Sequence, residues 1–188
     1  MVVKSDGSVY FTDPPYGLNS MFGTLEAQER PFCGVYRWSP NDEEPSLLMD
    51  DSVPNGLAFF PDESLFYIAD TEMNHVRVFD VDGDGKTGNG RIFAEILGNP
   101  LAPDGIKVDS EGNVYTTGHG GVWAFDPEER RLGIISVPEL PANLCWRGED
   151  GKTLFITART SLYGLGSTYR ACSCCKVALH TSRVFKTG

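Results

Sequence analysis

The chain has 188 residues, 40% of them hydrophobic and 22% charged, and a formal net charge of −10. This length and composition indicate one globular domain and exclude a disordered chain. The acidic balance argues against a nucleic-acid partner. No apolar run approaches the roughly 18–20 residues of a membrane helix, and the first residues lack the apolar segment of a signal peptide. We therefore expect a cytoplasmic protein whose partners are small molecules or metal ions rather than nucleic acid or a membrane.

A hairpin pattern recurs four times along the chain. In each copy an apolar strand precedes a polar turn rich in Asp, Glu or Gly and then a second apolar strand, as short hairpin loops require. The four copies cover residues 1–13, 55–70, 104–118 and 143–158. A third strand of common shape follows each copy, at residues 34–38, 75–79, 121–125 and 161–165. A fourth strand follows in three copies, at residues 45–50, 90–95 and 131–136.

The spacing of these strands predicts the architecture. Successive third strands begin 41, 46 and 40 residues apart, and four antiparallel strands at a period of roughly 40–50 residues are typical of a β-propeller blade. A β-sandwich with coincidental spacing is the alternative, but here the strand shapes recur as well as their spacing. We predict an all-β fold, a partial β-propeller over residues 1–165 with about three and a half four-stranded blades.

Residues 166–188 differ from the rest of the chain. They contain no Asp or Glu, four Lys or Arg, and three of the five cysteines. These three, Cys172, Cys174 and Cys175, lack the spacing of a zinc site and lie too close together for an ordinary disulfide framework. We predict that this segment is a basic, cysteine-containing tail without order.

Three polar residues stand just before the apolar run of a first strand: Asn55, Asp104 and Asn143. In a propeller the first strand of each blade lines the central channel, so we expect these side chains to converge on one axis. Carboxylate and amide oxygens suit a hard cation such as calcium. Gly56 and Gly105 follow the first two and permit a close backbone approach or a bulge. The alternative is that Asn and Asp begin these strands as turn residues bonded to their own backbone.

Several of these segments resemble the senescence marker protein / gluconolactonase / luciferin-regenerating enzyme family. The resemblance covers about residues 1–163 and is carried by PNGLAFFPDESLFYIADT, PDGIKVDSEGNVY and SDGSVYFTDPPYGL, which agree with the family in order and spacing. It implies a six-bladed propeller with one divalent cation on its axis. It also implies hydrolysis of sugar lactones such as gluconolactone.

In that family the cation is held by a Glu, by the Asn of a P-N-G motif and by the Asp of a P-D-G motif. The last two match Asn55 and Asp104, so the resemblance implies that these are metal ligands. The Glu has no counterpart here, nor has a substrate-contacting Asn of the family. We therefore expect that this chain is an incomplete copy of such an enzyme. The alternative is a non-catalytic propeller segment that serves as a binding module, or a non-functional fragment. We expect the bound cation to be calcium, with zinc, magnesium or manganese as alternatives.

The remaining assignments concern the reaction. Asp104 is the only carboxylate of the three axial candidates, so we assign it as ligand and as general base, and Asn55 as ligand alone. Asn143, His119 and Tyr16 are candidate substrate contacts. The alternatives are a turn-capping amide, an ordinary loop histidine and a rigid surface loop. The sequence leaves the oligomeric state open.

Overall fold

A computed structural model describes residues 1–18, 28–98 and 102–167 of the chain. Within these ranges the chain is built from fifteen strands and a short 3₁₀ helix, Pro15–Leu18. The strands are β1 (Val2–Val3), β2 (Val9–Asp13), β3 (Gly34–Trp38), β4 (Ser46–Met49), β5 (Pro54–Phe59), β6 (Leu65–Asp70), β7 (His75–Val81), β8 (Thr87–Glu95), β9 (Ile106–Val108), β10 (Val114–Gly118), β11 (Gly121–Phe125), β12 (Arg131–Ser136), β13 (Pro141–Arg147), β14 (Thr153–Ala158) and β15 (Ser161–Gly166). No helix of this described part is long and apolar enough to span a membrane.

The strands form four antiparallel sheets in chain order. Sheet 1 contains β1–β4, sheet 2 contains β5–β8, sheet 3 contains β9–β12, and sheet 4 contains β13–β15. In each sheet every strand pairs with its neighbour in sequence, as in a propeller blade. The predicted all-β propeller is confirmed, with three four-stranded sheets and one three-stranded sheet in the described residues. The tail predicted to be disordered lies outside the described residues from position 168 onward.

The hydrophobic core lies between neighbouring sheets rather than within any one of them. Because successive side chains of a strand point to opposite faces, each central strand supplies two layers. In β6, Phe66 and Ile68 pack against sheet 1, whereas Tyr67 and Ala69 pack toward sheet 3. A third layer joins sheets 3 and 4, where the rings of Tyr115 and Trp146 meet edge to face at 5.2 Å. Both faces of the central strands are therefore buried.

The first strands of sheets 2, 3 and 4 approach one another at two glycines. The Gly56 amide donates a hydrogen bond to the Asp104 carbonyl at 2.9 Å, and the Gly105 amide donates to the Ala142 carbonyl at 3.0 Å. A Cβ atom at Gly56 would lie 2.3 Å from the Asp104 carbonyl oxygen, and one at Gly105 would lie 2.7 Å from the Cα atom of Asn143. The predicted close backbone approach at both glycines is confirmed, and it places the segments around Asn55, Asp104 and Asn143 side by side.

Candidate metal and substrate site

Asn55 and Asp104 are fixed by backbone hydrogen bonds to other segments. Asn55 lies in β5, where the pairing with β6 shifts register between Pro54 and Leu57. Its carbonyl accepts a hydrogen bond from the Thr12 hydroxyl at 3.0 Å. Asp104 lies just before β9, and its amide donates to the Thr117 hydroxyl at 2.9 Å. Both residues are half-buried. Together with the glycine contacts, these bonds hold the two side chains near each other.

The Asn55 and Asp104 side chains are in contact. Burial raises the pKa of the Asp104 carboxyl to about 6, while the positive charge of Lys107 and a hydrogen bond from the Asn55 amide act in the opposite direction. The dominance of burial means that the carboxylate is poorly solvated, so a compensating positive charge would be strongly favoured beside it. The structure thus brings together two of the three residues expected at the axis.

Thr71 connects these two residues and was missed by the sequence analysis. The Asn55 amide nitrogen Nδ2 donates to the Thr71 hydroxyl at 3.3 Å, and that hydroxyl donates to the Pro103 carbonyl at 2.7 Å. Thr71 is 5% exposed. It directly follows β6, whose end lies at the same sheet edge as the start of β5, and that shared edge is the signal from which its position could have been inferred.

Tyr16 lies in the 3₁₀ helix with its hydroxyl oxygen buried. Burial raises the pKa of this phenol, and the negative charges of Glu72, Asp104 and Asp70 add to the effect, while the Thr71 hydroxyl opposes it. The hydroxyl makes no hydrogen bond of normal geometry in the described part of the chain. The Tyr16 hydroxyl is therefore a neutral group close to the Asn55–Asp104 pair, and its proton is free to bond a ligand.

Asn143 and His119 are exposed residues that each make a local hydrogen bond. Asn143 is exposed, and its Oδ1 atom accepts a hydrogen bond from the amide of Leu144 at 2.8 Å, so the amide oxygen bonds the local backbone. His119 is exposed after β10, and its carbonyl accepts from the Trp123 indole at 3.0 Å. No hydrogen bond or ion pair joins either side chain to Asp104 within the described residues. Asn143 nevertheless lies beside Gly105, directly after Asp104.

The donor atoms of the site suit a hard cation. The described ranges hold no cluster of three or more His, Cys, Asp and Glu that could bind a metal. The Asn55–Asp104 pair is of another kind, because it combines one carboxylate with an amide oxygen that accepts no hydrogen bond from any described residue. Oxygen donors of this type are those that calcium and magnesium prefer. The described part of the chain thus offers two side-chain oxygen ligands for a cation, from Asn55 and Asp104.

The model of one protein family matches most of the chain. The family described as the SMP-30/Gluconolactonase/LRE-like region matches residues 1–160. The chain belongs to this family. It is 36% identical over 164 residues to a gluconolactonase of Zymomonas mobilis subsp. mobilis, a match that covers 82% of this chain and 46% of the relative.

The chain is also similar to two other proteins. The chain is 30% identical to a 6-deoxy-6-sulfogluconolactonase of Pseudomonas putida, over 64% of this chain and 47% of the relative. The solved structure of a gluconolactonase from Xanthomonas campestris superposes with a TM-score of 0.80 and 33% identity, over 87% of this chain and 55% of that one. The chain therefore spans about half the length of the relatives it matches.

Proposed function

We propose that this chain supplies part of the active site of a metal-dependent hydrolase of sugar lactones, with a lactone such as gluconolactone as substrate. The observation that carries the proposal is the contact between the Asn55 amide and the poorly solvated Asp104 carboxyl, which come from two neighbouring sheets. The relatives named as lactonases support the substrate class.

Asn55 and Asp104 would together hold one divalent cation, with calcium as the first choice and zinc, magnesium or manganese as alternatives. When bound, this ion supplies positive charge that polarises the ester carbonyl and stabilises the oxyanion that forms on it. Asn55 is neutral and can only bind. Asp104 supplies the negative charge that a cation would balance.

Asp104 is also the proposed general base. Lactone hydrolysis requires that water add to the ester carbonyl carbon and lose a proton, after which the ring carbon–oxygen bond breaks and the ring oxygen takes up a proton. A carboxylate can accept the first proton and return it to the ring oxygen. Coordination lowers the basicity of a carboxylate, but burial of Asp104 raises its pKa to about 6 before any ion binds. The raised pKa of Asp104 thus offsets part of the basicity that it loses on coordination.

Substrate binding is proposed for three neighbouring side chains. The Tyr16 hydroxyl is neutral, lies close to Asp104 and keeps its proton available for a substrate oxygen. Asn143 retains its Nδ2 group for a sugar hydroxyl, since only its oxygen is bonded to the backbone. His119 is exposed and is the more peripheral candidate. Neither Tyr16 nor Asn143 supplies a positive charge that would compete with the cation.

Asp104→Ala tests the proposal directly. Hydrolysis of gluconolactone, monitored by the acid it releases at constant pH, should stop after chelation and resume when calcium or another divalent cation is added. The Asp104→Ala variant should lose at least about 100-fold in rate, because ligand and base are removed together. Turnover that survives chelation or this substitution would contradict the assignment. A wild-type chain that binds the cation but does not hydrolyse the lactone would favour a non-catalytic binding module.

A further inference from the structure

We infer that Thr71 is a positioning residue that fixes the orientation of the Asn55 amide and so presents its oxygen, rather than its nitrogen, to the cation. This inference rests on the proposed function of Asn55 and Asp104 as ligands. Thr71 ends the segment PNGLAFFPDESLFYIADT, at the opposite end from the P-N-G motif that contains Asn55. It is proposed to act on the Asn55 amide and not as a ligand itself.

The direction of the hydrogen bonds around Thr71 determines the amide orientation. The Pro103 carbonyl can only accept, so the single hydroxyl proton of Thr71 is committed to it over 2.7 Å. The Thr71 oxygen can then only accept from Asn55. The atom of the Asn55 amide that lies 3.3 Å away must therefore be the nitrogen Nδ2. The reversed amide would place two acceptors face to face.

Committing the nitrogen leaves the oxygen free. One Nδ2 proton is directed to the Thr71 hydroxyl, and the Asn55 side chain also interacts with the Asp104 carboxyl. The oxygen Oδ1 accepts no hydrogen bond from the described residues and remains available as a ligand. The bond from Nδ2 to Thr71 thus favours the orientation in which Oδ1 is the free donor.

The same hydroxyl also joins the two ligand-bearing segments. It bonds Asn55, in β5, and the carbonyl of Pro103, the residue before Asp104. Thr71 is 5% exposed, so water cannot readily substitute for its hydroxyl. Removing the hydroxyl would release the Asn55 amide and leave the Pro103 carbonyl without this donor. Outer-shell partners of this kind typically contribute about 10–100-fold to metal affinity.

Calcium titrations of the whole chain by isothermal calorimetry test the inference. Thr71→Val keeps the shape but removes the hydroxyl, and we expect calcium to bind about 10–100-fold more weakly. Thr71→Ser keeps the hydroxyl and should restore affinity to within about threefold of wild type. The matched control is Thr116→Val, because Thr116 is fully buried and its hydroxyl donates to the Gly105 carbonyl at 3.1 Å without touching Asn55. It should bind calcium within about threefold of wild type.

The outcomes separate this inference from the function on which it rests. If the wild type binds no calcium, or if Asn55→Ala binds as well as the wild type, the proposed metal site is wrong. If the site is sound but Thr71→Val binds like wild type, or no more weakly than Thr116→Val, the positioning role is overturned.

A measurement on the unmodified protein keeps the test independent of variant folding. In a nitrogen–proton correlation spectrum of the wild type, the side-chain amide signal of Asn55, assigned by through-bond correlation to its own backbone, should exchange slowly with water because Nδ2 is hydrogen-bonded. Rapid exchange, at the rate of an exposed asparagine amide, would overturn the inference even if no Thr71 variant folds.

Discussion

At the scale of one residue, Asp104 carries a carboxyl group that the fold partly removes from water. The carboxyl is half-buried, and burial raises its pKa to about 6 in the folded chain, compared with 3.8 for the unperturbed group. A group whose folded-state pKa is raised stabilises the fold only where it is protonated. Stability from this source is fully present below about pH 4 and is lost as pH rises through about 6.

Asp104→Asn should therefore stabilise the chain at pH 7.5 while it removes the proposed ligand. In the presence of a chelator we expect a gain of about 1–2 kcal/mol in the free energy of unfolding, discounted because the group is only partly buried. Urea denaturation at several pH values measures it. The gain should shrink as pH falls from about 6 to about 4, since the wild-type carboxyl is then neutral in the folded state. A variant less stable than wild type at pH 7.5 would show that burial does not penalise the charge.

The sequence predicted Asn55, Asp104 and the nearby Tyr16, but it did not predict Thr71. Asn55 and Asp104 were predicted because each stands at the same point of a repeated pattern, and repetition of that pattern implies convergence. Thr71 carries no comparable pattern, since its bonds to Asn55 and Pro103 span 16 and 32 residues. For Asn143, the backbone bond of its oxygen is the one named above as the alternative, because Asn side chains readily bond the nearby backbone.

The strand as an element was predictable to within a few residues, because period-2 burial and turn chemistry are local. The predicted third strand at 121–125 is β11, and the fourth at 131–136 is β12. The position of Asn55 relative to its strand was harder to predict. It lies inside β5 rather than before it, since the register shift after Pro54 adds unpaired residues to the strand. Irregular pairing of this kind reflects contacts with the neighbouring sheet.

Gly56→Ala should separate the first strands of sheets 2 and 3. The added Cβ atom would lie 2.3 Å from the Asp104 carbonyl oxygen, which is backbone and cannot rotate away. We expect a loss of at least about 2 kcal/mol in the free energy of unfolding, together with weaker calcium binding, because the Asp104 segment must move. Urea denaturation and calorimetry measure the two effects.

Gly83→Ala is the matched control for this substitution. Gly83 lies in the turn between β7 and β8, and an added Cβ atom there meets nothing within 4 Å. Its free energy of unfolding should stay within about 0.5 kcal/mol of wild type. Equal effects of the two substitutions would mean that the close approach at Gly56 is not what positions Asp104.

At the scale of the whole molecule, stability resides at the boundaries between sheets. The core layer between sheets 1 and 2 includes Tyr10, Phe59 and Phe66, with the rings of Tyr10 and Phe59 4.9 Å apart. The other two layers also draw on two sheets each. No sheet can therefore lose its packing without exposing its neighbour, and the described sheets should unfold together. The candidate site depends on this coupling, because its two ligands come from different sheets.

Tyr10→Phe tests that coupling with a change of one atom. The fully buried Tyr10 hydroxyl donates to the Gly85 carbonyl at 2.7 Å and so ties β2 of sheet 1 to the β7–β8 turn of sheet 2. Its removal should cost about 1–2 kcal/mol, because a buried acceptor is left without its donor. Tyr67→Phe is the control, since the Tyr67 hydroxyl donates to no other described residue, and it should change stability by less than about 0.5 kcal/mol.

The measurement that decides between coupled and independent sheets is the coincidence of two probes. Tryptophan fluorescence reports Trp38 in sheet 1, Trp123 in sheet 3 and Trp146 in sheet 4, whereas far-ultraviolet circular dichroism reports every strand. If the sheets are coupled, Tyr10→Phe should move both urea transitions to lower concentration by the same amount and leave their slopes unchanged. A larger shift by dichroism than by fluorescence would mean that sheets 1 and 2, which hold only one of the three tryptophans, unfold apart from the others. In that case the contact between Asn55 and Asp104, which spans sheets 2 and 3, could open without global unfolding.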